Sequence, residues 1–153
     1  MPTDPLTTPV TTVASLISAH EYFTGVVEAN TELVGDIAQT LKIQLSKLGL
    51  AIAVLVPSLG DLKTRGSGFE AELDIVVEVS ELVMLNRTGK GAGSAALQVI
   101  KAIHKKPNGL DQVGAMHRAG INEINVDLEL SAKRQAHPRY LVYHVYATTR
   151  VIL

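Results

Sequence analysis

The sequence predicts an α+β fold: a mostly antiparallel, twisted sheet with two main helices packed on one face, plus an extended N-terminal arm. Three observations carry this. Residues 69–81 alternate: Phe69, Ala71, Leu73, Ile75, Val77 and Val79 share one face, and Glu70, Glu72, Asp74 and Glu78 share the other with Val76. A period of two with one polar face is the pattern of a half-buried antiparallel strand. Residues 31–48 carry Leu33, Ile37, Leu41, Leu45 and Leu48 at spacings of four, four, four and three, one apolar stripe on a helix. The elements also follow the order arm, helix, strand, long strand, helix, strand, strand, which suits helices layered on an antiparallel sheet.

Residues 1–12 hold three prolines and five threonines. They read as an extended arm that does not form a helix. The rest, residues 13–153, reads as one α+β domain, a length that buries a core without staples. Residues 13–28 admit two readings, a short helix through Leu16, Ile17 and His20 or a strand over 22–27. The 31–48 helix is capped by Asn30 or Thr31 and closed by Gly49. Residues 50–56 form a buried strand cut by Pro57, and 58–68 are a connector. Residues 82–93 are a loop. A second helix spans 94–105 with Ala96, Leu97, Ile100 and Ile103 inward, stopped by the Pro107-Asn108-Gly109 run. Residues 110–120 show no clear pattern. Ile124, Val126, Leu128 and Leu130 mark another strand, 132–138 a polar turn, and 139–153 a long last strand rich in β-branched residues and tyrosine.

Composition narrows the function classes. With 14 Lys+Arg against 15 Asp+Glu, nothing points to nucleic acid or an anionic membrane as the main partner. There is no cysteine, hence no disulfide or thiolate chemistry. The start lacks the pattern of a signal peptide, and the longest apolar run is too short to span a bilayer. The chain is 46% hydrophobic and only 19% charged, against about 25% charged in an ordinary domain. Such a surface asks for cover, and self-association is the simplest cover.

The chemistry-bearing patterns are weak. The loop 88–94 (Thr-Gly-Lys-Gly-Ala-Gly-Ser) precedes a helix, where backbone N–H groups can hold phosphate. Yet Lys90 is followed by Gly91 rather than Ser or Thr, and the glycines stand at one, three and five rather than one, three and six. A flexible loop with Ser94 as N-cap is the plainer reading, and a phosphate- or nucleotide-binding enzyme using Gly89 to Ser94 is the alternative. Glu70, Glu72, Asp74 and Glu78 spread over roughly 26 Å along one strand, too far for one cation. They read as a solvated or subunit-facing acidic stripe that could steer a basic partner. His20, His104, His117, His137 and His144 show no ligand spacing, so no metal or cofactor is expected. His144, on the side of Val142 and Tyr146, reads as partly buried. Lys101, Lys105, Lys106, Arg118, Lys133, Arg134 and Arg139 read as helix-end and turn charge, with a basic surface near DNA or a complement to the acidic strand face as the alternative. Val151, Ile152 and Leu153 end the chain apolar, to pair within the sheet or to dock on a neighbour.

The stretch Glu72-Leu-Asp-Ile-Val-Val-Glu-Val-Ser-Glu81, then Leu85-Asn86-Arg87-Thr88-Gly89, then 95–104 ending in Ile103-His104, resembles bacteriophage tail proteins of the tail-terminator kind, over about residues 69–106. The resemblance implies a non-enzymatic virion protein, assembled in the host cytoplasm. It would form a homo-oligomeric ring, a hexamer, that caps the tail tube beneath the neck. Its partners would be the tail tube protein and the head-to-tail connector and neck proteins, with no membrane. DNA would pass through the lumen without specific binding. A tail-tube or other tail-associated subunit is the structural alternative. Candidate inter-subunit contacts are Glu70, Glu72, Asp74, Glu78, Asn86, Arg87, Lys90, Val151, Ile152 and Leu153.

Overall fold

In the computed structural model, residues 7–31, 37–55, 58–104, 125–133 and 140–152 are described. Helix α1 (Thr7–Ala19) is followed by β1 (Ala29–Thr31), α2 (Ile37–Leu48), β2 (Leu50–Val54), β3 (Ser58–Arg65) and β4 (Gly68–Leu82). A 3-10 turn (Val83–Leu85), α3 (Ala92–His104), β5 (Asn125–Lys133) and β6 (Tyr140–Ile152) complete the order. The sheet runs β1-β2-β4-β6-β5, with β3 also on β4. Only β1–β2 is parallel. This is the expected α+β class with a mostly antiparallel sheet.

β4 is the spine. It pairs along its whole working length with β6, from Glu70↔Ile152 to Leu82↔Tyr140. On its other side β2 and β3 lie end to end: β2 faces 77–81 and β3 faces 68–74. The strand expected over 69–81 is thus present, and its alternation is real. Ala71, Leu73, Ile75, Val77 and Val79 are buried, while Glu70, Glu72, Asp74, Val76 and Glu78 are half-buried. Phe69 departs from the pattern, 54% exposed at the hairpin end.

On the buried face of the sheet α3 lies against β4 and β6 and α1 against β1 and β2, and the two helices touch each other. Val10, Val13, Ile17, Val99 and Ile103 meet Leu50, Ile52, Val54, Leu73, Val77 and Val145 in one core. Removing this much aliphatic surface from water is the main stabilising term. The helix that partners α3 is therefore α1, whereas the apolar stripe of α2 pointed to α2 for that place. α2 instead packs against β1 and β2. Gln44 ties it there: its Oε1 accepts from Asn30 Nδ2 (3.0 Å) and Ile52 N (3.2 Å), and its Nε2 donates to Glu28 O (3.0 Å).

Several expectations need correction. The arm expected over 1–12 is helical from Thr7 onward. Pro9 falls in the first turn of α1, where a missing N–H costs no helical hydrogen bond, and Val10 joins Val13 and Ile17 on the buried face. Residues 1–6 lie outside the described residues. The strand reading of 22–27 fails. These residues form turns, with Thr24 N and Phe23 N donating to His20 O and Val27 N to Phe23 O, around a fully buried Phe23. The connector expected over 58–68 is strand β3. Gly66 (φ +60°) and Ser67 make a two-residue hairpin turn between Arg65 and Gly68, and a positive φ at the first central position favours glycine. α2 begins, among the described residues, at Ile37; Leu33 lies outside them and Thr31 belongs to β1.

Gly49 closes α2 as expected. Its φ is +75° and its N–H donates to Leu45 O (2.9 Å). Its neighbours are also tied down: Leu82 N donates to Gly49 O and Arg87 N to Leu48 O. The expected strands over 124–130 and 139–153 correspond to β5 and β6. The unpatterned stretch 110–120 and the stop at Pro107-Asn108-Gly109 lie outside the described residues. No described helix is long and apolar enough to cross a membrane.

Candidate interaction surface

The first feature of interest is the segment joining β4 to α3. Val79 is buried, and the same parity places Glu81 on the helix-covered face, where it is only 7% exposed. A buried carboxylate needs donors, and this one has two. Oε1 accepts from Ala92 N (2.9 Å), the first N–H of α3, and Oε2 accepts from Asn86 Nδ2 (2.6 Å). Ala95 N donates to Gly91 O (2.9 Å), so Gly91 holds the N-cap position and Glu81 caps the helix from a distance. A carboxylate at a helix N-terminus also meets the positive end of the dipole.

Asn86 organises the remainder of the loop. Its Nδ2 also donates to Lys90 O (2.7 Å), and its Oδ1 accepts from Thr88 N (2.9 Å) and Thr88 Oγ1 (2.6 Å). Lys90 N donates to Thr88 Oγ1 (3.1 Å), and Gly89 takes φ +72°. The Lys90 ammonium lies 3.9 Å from the centroid of the Tyr22 ring, and Tyr22 OH donates to Ser94 Oγ (3.0 Å). The flexible loop with Ser94 as N-cap is therefore corrected on both counts. The loop is closed by its own side chains, and Ser94 is a partner of Tyr22 inside α3. The N–H at the start of α3, which a phosphate would need, is engaged by Glu81.

Glu81 stands in the sequence only as the last residue of the 72–81 stretch, with no role assigned to it. The signal was available: the inward series Ala71 to Val79, extended by two, lands on Glu81. The inward face of α3 also differs from expectation. Ala92, Ala95, Ala96, Val99, Ala102 and Ile103 are buried, Ile100 is partly so, and Leu97 is 52% exposed. Small residues let α3 approach the sheet closely: a Cβ on Gly93 would stand 2.8 Å from Tyr143 Oη.

The acidic stripe lies on the face of β4 away from α1 and α3. Glu78 faces His144 across the register, with Oε2 3.4 Å from His144 Nε2. His144 is half-buried and meets Tyr146 edge-on at 6.1 Å. Glu70 is 3.7 Å from Arg65 on the β3 hairpin. Glu72 pairs in register with Gly60 and Arg150, and Asp74 with Ser58 and Thr148. The four carboxylates thus share one strand face but do not converge. Among the described residues no group of three or more His, Asp or Glu is placed to hold a metal ion. The backbone of Val151 and Ile152 pairs with Ala71 and Glu70 inside the sheet; Leu153 lies outside the described residues.

The second feature is uncovered apolar surface near the C-terminal end of α2. None of the residues of α2 is buried, and Ile43 is 45% exposed. The 3-10 turn after β4 presents Val83 (37%), Met84 (77%) and Leu85 (44%) in succession. Three consecutive exposed apolar residues are unfavourable on an isolated domain unless they are used. Beside α2 an open groove of about 470 Å³ is lined by Val26, Val27, Ile43, Gln44, Lys47 and Leu48, among others. No protein-family model matches the chain, and no relative emerges among curated proteins.

Proposed function

We propose that this chain is a structural virion subunit, a phage tail terminator that forms a ring capping the tail tube and joining it to the neck and head connector. The observation that carries the reading is the uncovered apolar surface on α2 and the 83–85 turn, in a chain already poor in charge. A subunit of a closed assembly covers such surface with its neighbours. The resemblance over residues 69–106 supports it further. That stretch spans β4, the loop and α3, and Glu81 and Asn86 bond its parts into one unit.

A ring subunit of this kind works by geometry. One face copies the docking surface of the tube and the other does not, so growth stops. The acidic stripe on β4 would give one such face a sign of charge and steer a basic partner. A tube or other tail-associated subunit is the alternative within the same class, since it would use the same uncovered surface repeatedly. The phosphate-enzyme alternative has less support, because Glu81 engages the start of α3 and Lys90 lies over Tyr22.

Negative-stain electron microscopy of the purified chain separates these. Discrete annular particles with a central channel are expected. Open-ended polymers would favour the tube-subunit reading. Particles without annular form or stacking would overturn both.

A further inference from the structure

We propose that Glu78, His144 and Glu129, one row across β4, β6 and β5, form a binding site for a divalent transition-metal ion of the zinc class. The inference is independent of the ring reading above. β6 runs between the other two strands, and His144 stands in register with Glu78 on one side and with Glu129 on the other. Residues directly opposite on adjacent strands share a face, with Cβ atoms about 4.5–5.5 Å apart. The neighbours Val77 and Val145 are buried in the core, so the row lies on the opposite face of the sheet, away from α1 and α3.

Glu78 Oε2 is 3.4 Å from His144 Nε2. That is longer than a good N–H···O hydrogen bond, about 2.7–3.2 Å. It matches two ligands of one tetrahedral zinc, which at bond lengths of about 2.0–2.1 Å stand about 3.4 Å apart. The pair is also held from behind. Ser80 is buried, and its Oγ donates to Glu78 Oε1 (3.2 Å), which leaves Oε2 toward the imidazole. Tyr146 meets the His144 ring edge-on at 6.1 Å. Hydrogen bonds and packing behind the ligands are what orient them in metal sites. Glu78 and His144 by themselves are two ligands, and no third described side chain joins them; the register of β5 brings Glu129 to the row. One imidazole and two carboxylates, with water completing the shell, suit zinc, which takes nitrogen and oxygen ligands in fourfold coordination. The three residues come from three strands, so no ligand spacing along the sequence marks them. Bound there, the ion ties β5 and β6 to β4.

The test uses the full chain, freed of metal with a chelator, and zinc chloride alone in isothermal titration calorimetry. One saturable equivalent per chain is expected, and zinc should raise the thermal midpoint, as a ligand of the folded state does. His144→Ala, Glu78→Gln and Glu129→Gln should each weaken binding about tenfold or more, with folding checked by circular dichroism. Glu72→Gln, further along the same strand face, should leave binding unchanged. Cobalt should replace zinc and show the visible absorption of a four-coordinate ion, and magnesium should not compete. A second reading needs no variant: in the unmodified chain zinc should protect His144 from diethyl pyrocarbonate, read by peptide mass spectrometry.

No saturable zinc binding, with His144 modified equally fast with and without zinc, would make the row an ordinary imidazole–carboxylate contact and overturn the proposal. Binding that survives His144→Ala would put the ion elsewhere and overturn it as well. Binding lost in His144→Ala and Glu78→Gln but intact in Glu129→Gln would remove the β5 ligand and with it the three-strand site. None of these outcomes touches the ring reading, which is decided by oligomeric state.

Discussion

Replacing Glu81 by alanine removes the acceptor shared by Ala92 N–H and Asn86 Nδ2. Both hydrogen bonds end on a buried carboxylate, at 2.9 and 2.6 Å. Hydrogen bonds to a charged group contribute about 1.5–3 kcal/mol each, and a donor left buried without a partner costs about 1–3 kcal/mol. Against this stands the relief of no longer burying a charge, so the two bonds do not add in full. The net expectation is a loss of roughly 2–4 kcal/mol. Glu81→Gln keeps the shape but should also destabilise, by about 1–3 kcal/mol. One amide oxygen replaces two acceptors, and the amide NH₂ must face either Ala92 N–H or Asn86 Nδ2. The assay is urea unfolding at one fixed protein concentration, because assembly couples stability to concentration. With a slope of about 2 kcal/mol per molar urea, the alanine variant's midpoint should fall by roughly 1–2 M at unchanged slope. An alanine variant within about 0.5 kcal/mol of the parent would refute the capping role.

Three further outcomes follow from the same structure. Gly49→Ala forces a side chain into φ +75° and drives Cβ into the backbone of Asn86, so it should cost roughly 2–5 kcal/mol, read by the same unfolding curves. Gly93→Ala brings Cβ to 2.8 Å from Tyr143 Oη and should lower the melting temperature; adding Tyr143→Phe should recover part of the loss, and full additivity would contradict the contact. Lys90→Ala removes the cation over Tyr22 and should cost only about 0.5–1 kcal/mol, with no effect on phosphate affinity in calorimetry; a lost phosphate affinity would revive the enzyme alternative.

What was legible in the sequence follows from where burial is one-sided. β4 and β6 lie in the sheet's interior, so their alternation or β-branched content speaks directly. β3 is paired but exposed on nearly every residue, so it carries no hydrophobic alternation and reads as a connector. Only the Gly66-Ser67 turn announced it. α1 was hidden by its threonines and Pro9, because composition weighs a proline without asking which turn of a helix it occupies. The stripe of α2 marks an amphipathic helix but says nothing of what covers it; its described members Ile37, Leu41, Leu45 and Leu48 are half-buried, and the exposed Ile43 stands off the stripe. Leu97 was drawn inward because large apolar residues outrank alanine in a hydrophobic pattern, although α3 approaches the sheet through alanines. For the candidate contacts, the sequence placed the acidic stripe on one face of β4. It missed the turn at Val83 to Leu85, since three apolar residues at a strand end look like core until burial is known.

The most direct test of the central claim is the mass of the purified chain in solution, by light scattering coupled to size-exclusion chromatography. A structural ring subunit should elute as one discrete species near six times the 16.4 kDa chain mass, unchanged by dilution over the working range. A species at the single-chain mass under every condition would contradict the account.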